Sequence, residues 1–254
     1  MLITILILFA CFIFFLRRAK KSIIPVRRLA PIDAIEEGIG RAVELGRPVH
    51  WTPGYGSAEH AGGVGSSSGL SLLSGMTILA YVAKICARRG AELIATFANP
   101  ELVPLASELI KDAYVSENKL DEFKPENIQF ISSRQYAFST GLLGLFQRER
   151  IATNIMTGSF GAEALIIAEG AQIAGAFQVA GSDGTTQLPV IFAVCDYTLI
   201  GEEFFAAAAY LSDDPTPRGA LRGQDLFKFG LIVFTIVGTI AMILGFNIVN
   251  YIKM

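Results

Sequence analysis

The chain has little charge, little cysteine and almost no histidine. Charged residues make up 17% of its 254 positions, where an ordinary soluble domain carries roughly a quarter. That shortfall expects part of the chain to lie where charge is costly. Three cysteines, Cys11, Cys86 and Cys195, are too few and too scattered for a disulfide scaffold. The two histidines, His50 and His60, form no CxxC, HExxH or His–carboxylate pattern at metal spacing, so neither a metal site nor a cofactor is expected. A formal net charge of −2 lacks the basic excess of a nucleic-acid binder. Long apolar runs are too few for a polytopic membrane protein. An apolar content of 52% excludes a disordered chain.

What apolar runs there are lie at the two ends. Met1 to Leu16 carries no charge and is followed by Arg17-Arg18-Ala19-Lys20-Lys21, then Arg27 and Arg28. Phe229 to Ile252 is uncharged between Lys228 and Lys253. A membrane-crossing helix needs about 20 apolar residues, which the second run supplies and the first approaches. A signal peptide fits the first run poorly, because its basic residues follow the apolar stretch and no small-x-small site precedes Arg17. An uncleaved anchor is expected, with an interfacial helix as the remaining alternative. The expected organisation is a transmembrane helix at 1–16, a basic juxtamembrane linker at 17–28, an α/β domain at 29–226 and a transmembrane helix at 227–252. The Lys and Arg flanks predict that residues 17–228 are cytoplasmic and that both termini lie across the membrane. Gly230, Gly238 and Gly245 fall on roughly one helix stripe, which suits close helix–helix contact in lipid.

Between the anchors, helical periodicity alternates about five times with short apolar runs. Helices are expected from Pro31 to Gly46, Leu70 to Arg89, Asn99-Pro100-Glu101 to Val115, Ser133 to Phe146 and Ser159 to Ala168. Strands are expected at 48–52, 92–97, 127–131, 151–156 and 174–179. From Gln187 to Leu211 the chain is nearly all apolar and reads as one or two packed helices, with a strand at Val190 to Val194 as the alternative. The alternation predicts a Rossmann-like, three-layer α/β domain with a parallel or mixed sheet.

Candidate chemistry is sparse. The run from Gly54 to Gly69 lies between a strand and a helix, where Gly63, Gly65 and Ser66 can offer backbone N–H groups to a phosphate. It lacks Rossmann spacing and a Walker lysine, and a flexible surface loop is the competing reading. His50 beside Trp51 reads as a packed histidine with a satisfied ring nitrogen. Ser159 lacks the GxSxG setting of a nucleophile and reads as a helix N-cap. The loop from Gly181 to Gln187 follows a strand at the end where α/β sites form. Asp196 is expected inside an apolar helix. Asp183, Gln187 and Asp196 therefore outline a candidate polar pocket, against which stand a helix cap by Asp183 and a buried hydrogen bond by Asp196.

Several of these segments carry a resemblance. Asp33-Ala34-Ile35-Glu36-Glu37, Gly46-Arg47-Pro48-Val49, Ile155-Met156-Thr157-Gly158, Gly181-Ser182-Asp183 with Gln187-Leu188-Pro189, and the run from Cys195-Asp196-Tyr197 to Glu202-Glu203 resemble a domain-of-unknown-function family. Its members are bacterial and archaeal chains with a soluble core beside membrane helices. The resemblance covers about 29–213, implies one intact domain and implies no reaction.

The function expected first is a membrane-anchored, self-associating scaffold, with Phe204 and Phe205 beside Ala206 to Ala209 suited to close packing within or between copies. A tethered nucleotide- or anion-binding enzyme or sensor is the alternative, and an adaptor for a protein partner, contacted through loop 116–126, is a third. The −2 average conceals a strong asymmetry. With the six basic residues at 17–28 and Lys253 set aside, 14 basic residues stand against all 23 acidic ones. The basic strip suits anionic lipid headgroups, while the acidic domain stands off them.

Overall fold

The computed structural model describes residues 29–56 and 67–212, together with 225, 228–233, 235, 236 and 239. Arg27–Leu211 form one compact unit, and Met1–Val26 with Ser212–Met254 are assigned to a second.

The first unit opens with helix α1 (Ala30–Leu45). Pro31 sits in its first turn, where a missing N–H costs nothing. Ile32, Ile35, Ile39 and Ala42 form its buried stripe, while Val43 beside them is exposed. Gly46 ends the helix at φ +61°, donating its N–H back to the last turn. Strand β1 (Val49–Thr52) follows, then helix α2 (Ser67–Arg89), β2 (Leu93–Phe97) and α3 (Leu102–Ser116). Two single 3₁₀ turns, Leu120–Glu122 and Pro125–Asn127, occupy the expected polar loop and lead into β3 (Ile128–Phe130). The chain continues through α4 (Gln135–Glu149), β4 (Thr153–Thr157), α5 (Glu163–Ile173), β5 (Phe177–Ser182), α6 (Leu188–Val194), β6 (Tyr197–Ile200) and α7 (Glu202–Leu211).

The six strands are all parallel, in the order β3-β2-β1-β4-β5-β6. Strands β1, β2, β4 and β5 are buried along their whole length, as expected when helices cover both faces of a parallel sheet. On one face Val49, Trp51, Phe97, Ile155 and Val179 pack with residues of α1, α2, α3 and α7. On the other, Ile94, Met156 and Ala180 pack with residues of α4, α5 and α6.

Three expectations for this unit are corrected. The apolar run after Gln187 does hold two helices, but it has no strand at 190–194 and has one between the helices. It is α6, then an additional strand β6, then α7. Asp196 lies in the short link before β6 and is exposed, not within a helix. Ser159 is not an N-cap, because α5 begins only at Glu163.

Among the described residues one helix is long and apolar enough to cross a membrane, Gly69–Arg89 within α2. It is a core helix, with 56% of its apolar window buried inside the domain. The expected anchor at 1–16 lies outside the described residues. So does most of 227–252, although residues 228–233, 235, 236 and 239 are helical.

Candidate functional site at the C-terminal edge of the sheet

Because every strand runs the same way, all six C-terminal ends share one edge. The strand order reverses between β1 and β4. The chain leaves β1 toward β2 and leaves β4 toward β5, and it is at such a switch point that a ligand crevice usually opens in parallel sheets.

Both exits are short on side chains. β1 leads into Pro53-Gly54-Tyr55-Gly56, and β4 into Gly158-Ser159-Phe160-Gly161. The loops approach so closely that a Cβ on Gly158 would collide with the Pro53 carbonyl. One on Gly56 would lie 2.8 Å from Ser159 Oγ. Larger residues would wedge the exits apart.

Glu163 ties the two exits together. Its side chain is fully buried. Oε1 accepts the backbone N–H of Tyr55 at 3.1 Å and of Gly161 at 2.9 Å, and Oε2 accepts from Gln135 Nε2 at 2.5 Å. One carboxylate thus joins the exits of β1 and β4 to the first residue of α4. Three donors compensate the burial of its charge, and its place at the start of α5 is favourable to an anion. Tyr55 adds a second tie, its hydroxyl donating to the Ser133 carbonyl at 3.1 Å. The sequence singled out none of Tyr55, Gln135 and Glu163. The one available signal was an acid two residues beyond a glycine-rich strand exit.

A second polar cluster lies beneath this edge, inside the sheet. His50, Asn154 and Gln178 occupy matching positions on β1, β4 and β5. Asn154 Nδ2 donates to Gln178 Oε1 at 3.2 Å, and Gln178 Nε2 donates to the Ala168 carbonyl at 3.0 Å. Asn154 Oδ1 is therefore the acceptor for His50 Nδ1–H at 2.8 Å. The neutral ring's Nε2 then accepts from the Thr96 hydroxyl, also at 2.8 Å. Every bond in this ladder points the same way. Complete burial lowers the His50 pKa to about 4, only partly offset by the bond to Asn154, so the ring is neutral near pH 7. The expected packed histidine has both its nitrogens satisfied.

The structure separates the residues that the sequence grouped. Asp183 and Gln187 are half-buried at the C-terminal edge, beyond β5 and at the start of α6. The turn is closed by the Gly184 N–H on Ser182 Oγ at 3.2 Å. Asp196 lies at the opposite edge, where its Oδ2 accepts the Gln178 N–H at 2.7 Å. A pocket between Asp183 and Asp196 is therefore not formed, because parallel strands put the residue after β5 and the residue before β6 at opposite ends. Phe204 is fully buried beneath Gly181 and packs within the domain, with Phe205 half-buried beside it. Gly63, Gly65, Ser66, Gly238 and Gly245 lie outside the described residues. A Cβ on Gly230 would meet nothing within 4 Å. Among the described residues, no group of three or more His, Cys, Asp or Glu is placed to hold a metal ion.

A family model described as a domain of unknown function (DUF6754) matches residues 1–252, and the chain belongs to that family. The match runs past 29–213 and takes in both apolar ends. No curated protein matches the chain, and no solved structure does.

Proposed function

We propose that this protein is a membrane-tethered α/β domain that binds a nucleotide or another phosphate-bearing ligand in the crevice between β1 and β4. The observation that carries this reading is the strand order, whose reversal lies directly above β1 and the glycine-rich run that follows it. The binding face comprises the exits of β1 and β4, with Asp183 and Gln187 at its border. Gly63, Gly65 and Ser66 would supply further backbone donors.

The tether rests on three observations. The family match includes both apolar ends. Phe229, Leu231, Ile232, Val233 and Ile236 are exposed on helical residues near the C-terminus. Thr235 and Thr239 donate their hydroxyls to the carbonyls four residues earlier, at 2.8 Å each. That arrangement leaves neither of these two hydroxyls unpaired, as a lipid-facing helix requires. The basic flanks favour a cytoplasmic domain with both termini opposite, the strip at 17–28 lying on anionic headgroups.

Thermal unfolding of the full chain in lipid nanodiscs, with ATP, NAD and inorganic phosphate added in turn, tests the ligand. A saturable rise in midpoint with at least one nucleotide is expected, about 2.7 kcal/mol at a hundredfold excess over Kd. Gly56→Ala, which crowds the two exits, is expected to weaken it. No rise with any of the three would sink the reading.

Self-association is the second reading, favoured by the free edge of the sheet. Phe192, Tyr197 and Ile200 are exposed on α6 and β6, and no strand pairs beyond β6 among the described residues. An exposed edge strand is a ready template for another chain. Mass photometry of the nanodisc sample tests it. More than one copy per particle favours a scaffold, and one copy removes it.

A further inference from the structure

A cavity of about 230 Å³ opens at the N-terminal edge of β2 and β3, the end of the sheet away from the crevice. It has the volume of roughly eight water molecules at about 30 Å³ each. Its inner wall is apolar, with Ile110 and the ring of Phe123, while Glu92, Glu122 and Lys124 stand at its rim.

Tyr114 lines this cavity and is 95% buried. Its ring meets that of Phe123 edge-on, with centroids 6.0 Å apart. Its hydroxyl has no hydrogen-bond partner among the described residues. Every enclosed polar side-chain atom among those residues does have a partner, so the hydroxyl is reached from the cavity. A buried phenol that keeps its O–H free is an unused recognition group.

Burial above all, with the nearby Cys86, Glu122 and Glu92 adding to it, pushes the phenol's pKa up, so it stays neutral. Glu92 is held ionised by hydrogen bonds from Lys124 and Asn127, both to Oε1, at 2.7 and 3.0 Å. Its second oxygen takes no side-chain donor among the described residues. Glu122 likewise meets Lys119 through Oε1 alone, at 2.6 Å. The two lysines thus leave one oxygen of each carboxylate open. An anion here would face two carboxylates, and a neutral apolar molecule would leave the phenol and both oxygens unsatisfied.

We propose that this cavity is a second ligand site, taking a small organic cation. Its ammonium group donates to the Tyr114 hydroxyl oxygen and to the open oxygens of Glu92 and Glu122, and its short apolar stem lies on Ile110 and Phe123. The site is independent of the crevice and of whatever binds there.

Three probes of matched shape and different charge test it: pentylamine, 1-pentanol and pentanoate, each titrated by ligand-observed NMR against the full chain in nanodiscs. Empty nanodiscs subtract partition into lipid. Pentylamine is expected to bind about tenfold more tightly than the other two, the advantage a single charge-assisted contact provides. Tyr114→Phe keeps the ring and its packing, and is expected to weaken pentylamine about threefold or more, as is Glu92→Gln. Equal binding of the three probes, no saturable binding of pentylamine in the millimolar range, or a Tyr114→Phe protein of unchanged affinity would overturn the proposal.

Discussion

Trp51 and His50 are neighbours on β1, yet they enter opposite layers of the domain. Trp51 enters the layer under α1, α2, α3 and α7, which is almost wholly apolar. Its Nε1 donates to Thr157 Oγ1 at 2.8 Å, and Thr153 donates to the Gly38 carbonyl at 2.7 Å. His50 enters the layer under α4, α5 and α6, where Thr96, Asn154 and Gln178 extend a polar ladder across four strands. The first layer is held mainly by volume, and the second adds a chain of buried partners to its own apolar core. An apolar layer tolerates a new hydrophobic side chain of similar size. A ladder tolerates no broken rung, because each lost partner leaves a buried polar group unpaired.

The largest expected effect falls on the apolar layer. Trp51→Ala removes a fully buried ring that packs on Phe97 and is expected to cost about 3–5 kcal/mol in denaturant unfolding. Next comes the ladder. Asn154→Leu keeps a similar volume but strands His50 Nδ1–H and Gln178 Oε1, with an expected loss of about 2–4 kcal/mol. If Asn154→Leu cost no more than Ile155→Val on the opposite face, about 0.5–1.5 kcal/mol, the two layers would not differ in kind.

The third effect is on pH. The folded pKa of His50 is about 4 and the ordinary value is 6.5. Between these values the unfolded chain takes up a proton that the native chain refuses. The stability contributed by the neutral ring is therefore intact above about pH 6.5 and falls with pH, by at most about 1.4 kcal/mol per unit, until about pH 4. His50→Gln, which cannot titrate, is expected to flatten that part of the profile. An unchanged slope would mean that His50 is protonated in the folded chain.

The smallest effect is at the surface. Phe192 is 68% exposed, so Phe192→Ser is expected to change stability by no more than about 0.5 kcal/mol. A larger loss would mean that α6 is covered, which would strengthen the self-association reading.

Both layers were partly legible in the sequence. The alternation in Val49-His50-Trp51-Thr52 already sends His50 and Trp51 to opposite faces, because side chains in a strand alternate. Five of the six strands followed from periodicity, and the two ends of α1 from Pro31 and Gly46. The ladder did not, because Asn154 and Gln178 join His50 only through the pairing of β1, β4 and β5, a register that no local pattern carries. β6 was hidden for a different reason. Its four residues sit in a continuous apolar run from α6 to α7, and a run without polar alternation does not separate strand from helix. Asp196 was misplaced with it. At the crevice the glycines were visible, but Glu163 was not, because its three partners come from two strand exits and the start of α4, far apart in sequence.

The central claim, a phosphate-bearing ligand above β1 and β4, is tested most directly by hydrogen exchange of the full chain in nanodiscs with and without saturating ATP, with NAD as the second ligand. The account predicts slowed exchange in 53–69 and 158–161, with the amides along β3 and the turns before it unchanged. Protection elsewhere with none at these two strand exits would contradict it.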